Sequence, residues 1–244
     1  MSRLPLVALH GFMGSPSTFK GLDTMLDQPV VALPLPAPKE CAIGLSSCHD
    51  EIASQLLQTL GAMGVSRFHL LGYSLGGRIA MHMARLRPAS VDRLILESAH
   101  PGLRSADERE ARCVHDAAWA ERIRGEWPAI LHSWYDQPVF GSLPDALRQE
   151  LIMQKTGRDP ETMARMLECL SLGRQCSFWE YLSRASHPIL FVSGEMDERY
   201  RTIGERLAAQ SGPTVHESVS GAGHIVHREQ PEAYLAVLQS FLTQ

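Results

Sequence analysis

The chain has 244 residues, 44% of them hydrophobic and 20% charged, the balance of a protein with a sizeable core. At this length roughly 70–75% of the unfolded chain's surface is buried on folding, so no metal or disulfide staple is required. The formal net charge of -4 argues against a dedicated nucleic-acid or membrane-surface binder. No stretch approaches the ~18 apolar residues of a membrane span. The apolar run after Met1 is too brief for a signal-peptide core. A cytoplasmic protein is expected. Five cysteines, Cys41, Cys48, Cys113, Cys169 and Cys176, include no C-x-x-C pair and suggest neither a disulfide framework nor a zinc site.

Short apolar runs alternate with helical patterns along the chain, the rhythm of a parallel sheet covered by helices. Strands are expected at 6–10, 30–33, 68–72, 94–98, 189–194 and 214–219. Several are apolar throughout, as strands buried on both faces are. Helices are expected at 48–62 and at 76–87, the latter stopping before Pro88. A last helix begins near Pro231. The proline-rich 34–38 stretch reads as a rigid loop after the second strand.

Between residues 101 and 186 the rhythm breaks, and only charged helical stretches appear, at 106–124, 127–135, 144–155 and 160–172. A structureless loop that long is improbable, so a helical insertion is expected. The predicted fold is α/β, a mostly parallel sheet of about six strands with helices on both faces. Its core comprises residues 1–100 and 187–244, and residues 101–186 form a helical cap inserted between two core strands.

The strongest local signal is Gly72-Tyr73-Ser74-Leu75-Gly76, a G-x-S-x-G between an apolar strand and an apolar helix. Such a turn holds a serine in strained backbone at a strand's carboxyl end, beside a helix N-terminus. A serine nucleophile or base needs a histidine and an orienting acid, in the chain order serine, acid, histidine. Asp197 follows the fifth strand, and His224 lies in the glycine-rich loop after the last one. Their competitors are Glu195, too close to its strand end, and His227, read as a surface or helix-cap residue. The oxyanion hole is expected from the backbone N–H of Leu75 and that of Phe12, the latter in the loop after the first strand. His10 is expected to hold that loop. These parts suffice for proton transfer or acyl transfer, so neither metal nor organic cofactor is predicted.

Together these residues resemble the α/β-hydrolase fold superfamily over nearly the whole chain. Four segments narrow the likeness: G-Y-S-L-G-G-R from Gly72, E-S-A-H-P-G-L from Glu97, W-Y-D-Q-P-V-F from Trp134 and A-G-H-I-V-H-R-E from Ala222. They resemble the 2-succinyl-6-hydroxy-2,4-cyclohexadiene-1-carboxylate synthase (MenH) family of menaquinone biosynthesis. The resemblance implies a carbon–oxygen lyase that expels pyruvate from 2-succinyl-5-enolpyruvyl-6-hydroxy-3-cyclohexene-1-carboxylate. Ser74, Asp197 and His224 would then act together as a general base.

The substrate carries several carboxylates, and the family meets them with arginines. By this resemblance Arg78 and Arg112 occupy two of those positions and Lys155 the third, where lysine keeps the charge without the bidentate fork. Tyr73 and Trp134 stand where the family's ligand-contacting aromatics stand. The family's D-x-P-G-H-G segment is replaced here by L-P-L-P-A-P-K from Leu33, and Arg199 stands in a lysine place. A serine hydrolase acting on a small acidic ester, thioester or C–C bond is the alternative chemistry. The expected partner is a small polycarboxylate, with no nucleic acid and no membrane; monomer and weak homo-oligomer are left open.

Overall fold

The structure is a computed structural model that describes residues 3–41 and 44–243. Met1, Ser2, Ala42, Ile43 and Gln244, which fall within the expected core segments, lie outside the described residues. In chain order the elements are β1 (Leu6–Leu9), α1 (Leu22–Leu26), β2 (Val30–Leu33), α2 (Ser47–Ala62), β3 (Phe68–Tyr73), α3 (Leu75–Leu86) and β4 (Val91–Glu97). Then come α4 (Ala106–Glu126), α5 (Ile130–Tyr135), α6 (Asp145–Lys155), α7 (Pro160–Cys169) and α8 (Trp179–Arg184). The chain closes with β5 (Ile189–Gly194), α9 (Glu198–Ala208), β6 (Thr214–Val219), α10 (Val226–Glu229) and α11 (Pro231–Leu242).

All strand pairs are parallel, in the order β2-β1-β3-β4-β5-β6. β1, β3 and β5 are mostly apolar and almost wholly buried because helices cover both faces. One apolar cluster joins α2 and α3 to one face, through Ile52, Leu56, Ile79 and Met83. A second packs Tyr234, Leu238 and Phe241 of α11 with Leu6, Leu71 and Leu190 on the other. The chain turns from β1 to β2 in one direction and then returns to β3 on β1's other side. That reversal opens a crevice at the strands' carboxyl ends, between the loops that follow β1 and β3.

Between β4 and β5 the described residues form only helices, as the charged periodicity predicts. The longest, α4, opens with a capping box in which Ser105 and Glu108 satisfy each other's backbone N–H groups. The expected helix at 127–135 begins only at Ile130. Pro128 lacks an N–H and disfavours helical backbone in the residue before it, so α4 stops at Glu126. β4 starts at Val91, earlier than its apolar run, because Val91 and Arg93 pair with β3.

The cysteine expectation is corrected. Cys41, in the loop after β2, and Cys169, at the end of α7, form a disulfide across 128 residues of sequence. Spacing carries no sign of it, because the fold alone brings that loop beside α7. A disulfide is also a bond that a reducing cytoplasm opposes. No described helix is long and apolar enough to cross a membrane.

Candidate active site

Ser74 sits between β3 and α3 with φ 50° and ψ -111°, a conformation that side chains adopt only under constraint. The constraint comes from two glycines. A Cβ on Gly72 would lie 2.5 Å from the Gly76 carbonyl oxygen, and one on Gly76 would lie 2.2 Å from that of Leu9. The turn is therefore as tight as backbone contact permits, and it pushes the Ser74 hydroxyl out over the crevice. Leu75, the first residue of α3, contributes one of the N–H groups that a helix N-terminus leaves without an internal acceptor.

Ser74, His224 and Asp197 meet across the sheet's carboxyl edge. His224 Nε2 lies 3.4 Å from Ser74 Oγ, and its Nδ1 lies 2.8 Å from Asp197 Oδ2. A carboxylate oxygen accepts, so Nδ1–H donates to Asp197 and Nε2 is left to accept from the serine. The other carboxylate oxygen of Asp197 accepts the Tyr200 backbone N–H at 3.3 Å, which caps α9 and fixes the carboxylate. Glu195 takes no part, since its carboxylate accepts from Ser220 and Gly221 at the exposed rim.

His227 corrects a second expectation. Its side chain is only 7% exposed, and both its backbone N–H and Nδ1 engage Oε1 of the fully buried Glu97, at 3.1 and 2.7 Å. Rather than resting on the surface, it ties α10 to β4 and reaches the cavity wall. His10 behaves as expected. Its Nδ1 donates to the Gly11 carbonyl at 2.8 Å, and its Nε2 accepts from Leu35 N–H at 3.2 Å. Burial lowers its pKa to about 4, with the cations Arg158 and Lys155 pushing the same way, so the ring is a neutral brace.

Two cavities meet at Ser74, Phe12 and Trp134. The smaller, about 90 Å³, is lined by Leu75, Arg78, His100, Arg112 and Tyr200 as well. The larger, about 400 Å³, extends past Tyr73 and His224 to Lys155, Arg158 and Arg228. The structure thus gathers Ser74, His224, Phe12, Leu75, Arg78, Arg112, Lys155, Tyr73 and Trp134 around one centre, with Asp197 behind His224.

Among the described residues, Arg78 donates its side-chain hydrogen bonds to neutral groups alone. It donates to the Leu170 carbonyl at 2.7 Å, to Gln175 Oε1 at 3.3 Å and to His49 Nε2 at 3.3 Å. Burial and the nearby Arg112 lower its pKa to about 10, which leaves it cationic at neutral pH. A partly buried cation with no bonded carboxylate is free to pair with an anion that enters the site. Arg112 differs: its Nε donates to Asp116 at 2.8 Å, and the buried Asp116 also accepts from Ser171. Lys155, buried at the end of α6, has its pKa lowered to about 8 by burial, with Arg158 and Arg228 adding to the effect.

Sequence reasoning missed several lining residues. His100 lies in the H-P-G-L segment, yet nothing in that motif says how its ring is used. Its Nδ1 accepts from Gly102 N–H at 3.0 Å, so Nε2 carries the proton. Burial, then Arg199, Arg78 and Arg112, lower its pKa to about 3 and keep it a neutral donor beside the arginines. Tyr200, one turn into α9, packs its ring 4.8 Å from that of His224. Arg158, from the α6–α7 turn, and Arg228, from α10, reach the larger cavity from separate segments, and no local pattern marks either.

The parallel sheet, its reversal between β1 and β3, and the serine elbow define an α/β-hydrolase fold. The alpha/beta hydrolase family matches residues 6–237. A protein of Enterobacter sp. (strain 638), "2-succinyl-6-hydroxy-2,4-cyclohexadiene-1-carboxylate synthase", is 36% identical over 97% of this chain and 91% of its own. A protein of the same name from Klebsiella pneumoniae subsp. pneumoniae is 36% identical over 97% and 93%. Among solved structures, MenH from S. aureus superposes with a TM-score of 0.90 at 25% identity, covering 100% of this chain and 94% of that one. A Thermogutta terrifontis esterase shares the fold, with a TM-score of 0.79 at 22% identity over 99% and 90% of the two chains. The chain belongs to the alpha/beta hydrolase family and, within it, to the 2-succinyl-6-hydroxy-2,4-cyclohexadiene-1-carboxylate synthase family.

Proposed function

We propose that the protein eliminates pyruvate from 2-succinyl-5-enolpyruvyl-6-hydroxy-3-cyclohexene-1-carboxylate, forming the conjugated cyclohexadiene of menaquinone biosynthesis. The observation that carries this reading is the charge around Ser74. Arg78 lies to one side, bonded among the described residues only to neutral acceptors, and Lys155 with Arg158 lies to the other. A simple ester offers nothing to such cations, whereas a polycarboxylate answers them in both directions.

In this reading His224 Nε2 takes the hydroxyl proton of Ser74, and the serine oxygen removes the substrate proton adjacent to the succinyl carbonyl. Asp197 stabilises the imidazolium that forms, in the tautomer its 2.8 Å contact dictates. The carbonyl oxygen becomes an enolate, held by the N–H groups of Phe12 and Leu75. As the electrons return, the ring C–O bond breaks and pyruvate leaves as its enolate, which gains a proton to become pyruvate. Arg78 and Arg112 bind carboxylate on one side and Lys155 on the other, while Tyr73 and Trp134 form the walls. Residues 101–186 act as the cap that supplies Arg112, Trp134 and Lys155 to a core made of 1–100 and 187–244.

The test supplies the enolpyruvyl precursor and follows both pyruvate release and diene absorbance. Turnover that falls at least about a thousandfold in Ser74→Ala is expected, since a base acting in the transition state is removed. Pyruvate release no faster than in buffer, together with rapid turnover of simple esters, would replace this reading with the serine hydrolase.

A further inference from the structure

The larger cavity carries more positive charge than its own surroundings neutralise. Lys155, Arg158 and Arg228 line it, and no Asp or Glu does so among the described residues. Arg228 is paired with Glu150 at 2.8 Å. Lys155 is only 9% exposed, and its ammonium makes no protein hydrogen bond among the described residues. Arg158 follows it in the α6–α7 turn, which the Arg158 N–H closes on the Lys155 carbonyl at 3.0 Å. Asp159 then caps α7 by accepting from Thr162 N–H at 2.8 Å. The turn is therefore fixed at both ends, and it brings two cations to one lobe.

Arg158 also crosses to the core. Its Nη2 donates to the Gly14 carbonyl at 3.0 Å, a contact between residues 144 positions apart. Gly14 ends the turn that contains Phe12, closed by Gly14 N–H on the Gly11 carbonyl at 3.0 Å. The guanidinium has five N–H donors, and this contact uses one of them.

We infer that Arg158 is an anion-coupled latch: with Lys155 it binds a substrate carboxylate in the larger lobe, and through Gly14 it holds the oxyanion loop in place. The inference rests on the proposed polycarboxylate substrate and adds a residue that both selects it and positions a donor. Arg158 is a specificity and positioning residue and takes no proton. A carboxylate bound beside it fixes the guanidinium, and the fixed guanidinium steadies the loop that carries the Phe12 N–H. Affinity and turnover are then linked through one side chain, because losing it loosens the donor loop as well as the carboxylate site.

Two measurements on the full chain test this. The first is steady-state kinetics of Arg158→Ala and Arg158→Lys with the enolpyruvyl substrate. The alanine variant should raise KM and lower kcat together, with kcat/KM falling about 10- to 100-fold. The lysine variant should recover part of KM and little of kcat, because it keeps a charge but not the fork. The second is hydrogen–deuterium exchange of the segment covering residues 11–15, with and without millimolar pyruvate as the carboxylate probe. Pyruvate should slow exchange there in the unmodified protein, and both Arg158→Ala and Lys155→Met should abolish that slowing.

Exchange that is faster in Arg158→Ala, with kcat/KM within twofold of the parent, would reduce Arg158 to a structural tie and overturn the inference. A rise in KM alone, with unchanged loop exchange, would overturn the coupling. Should the parent protein release no pyruvate at all, the proposed reaction falls. The exchange experiment then still decides the latch, since it requires no turnover.

Discussion

Arg78→Lys separates a cation that binds substrate from one that merely fills the interior. The native guanidinium reaches three acceptors at once, the Leu170 carbonyl, Gln175 Oε1 and His49 Nε2. An ammonium on a shorter, unforked stem retains one of them at best. Each partly buried acceptor left without a donor costs about 1–3 kcal/mol, so two of them predict a loss of about 2–6 kcal/mol in stability. Substrate adds a second cost. Exchanging a bidentate, charge-assisted contact for a point charge forfeits about 1.5–3 kcal/mol. At 1.36 kcal/mol per decade, kcat/KM should fall roughly 10- to 150-fold. Urea unfolding gives the first number, and pyruvate release at a temperature where the variant is folded gives the second. Stability lowered as stated, but kcat/KM within threefold of the parent, would show that Arg78 is a structural arginine and remove the charge argument from the smaller lobe.

Other outcomes follow from the same geometry. Gly76→Ala places a methyl 2.2 Å from the Leu9 carbonyl oxygen and 2.5 Å from that of His10, both backbone atoms that cannot yield. It should cost more than about 4 kcal/mol, and a soluble variant with an unchanged unfolding midpoint would contradict the tightness of the elbow. His10 and His100 have pKa values lowered from 6.5 to about 4 and about 3, so the folded state binds fewer protons than the unfolded one. Their stabilising effect is complete above pH 6.5 and is lost as pH falls through the window toward the folded values. At pH 5 each should cost roughly 2 kcal/mol, read as the difference between urea unfolding at pH 7.5 and at pH 5; equal stabilities would mean the rings are not held neutral. Finally, the Cys41–Cys169 bond predicts that reduction releases two further thiols in a titration of the denatured protein. An equal thiol count before and after reduction would show the pair to be separate.

The sequence determined the parts of this protein whose causes are local. Buried strands bounded by turn residues, a helix that stops before Pro88 and a glycine-flanked serine are written within a few residues of one another, and they appear nearly where the pattern puts them. Chain order pointed to Asp197 and His224, whose side chains the structure brings beside Ser74, because parallel strands deliver all their carboxyl ends to one edge. Periodicity also showed that no strand interrupts the long helical segment.

Tertiary structure decided whatever depends on residues far apart in the chain. His227 is buried because Glu97, 130 residues earlier, stands beneath it, and no periodicity near His227 could reveal that carboxylate. Cys41 pairs with Cys169, and Arg158 reaches Gly14, across the same kind of distance. His100 looks like any histidine until Gly102 fixes its tautomer and burial, with three nearby arginines, keeps it neutral. The physical reason is common to all of these. Backbone conformation responds to near neighbours, whereas burial, charge state and hydrogen-bond partners are set by which distant segments the packed helices and sheet bring into contact.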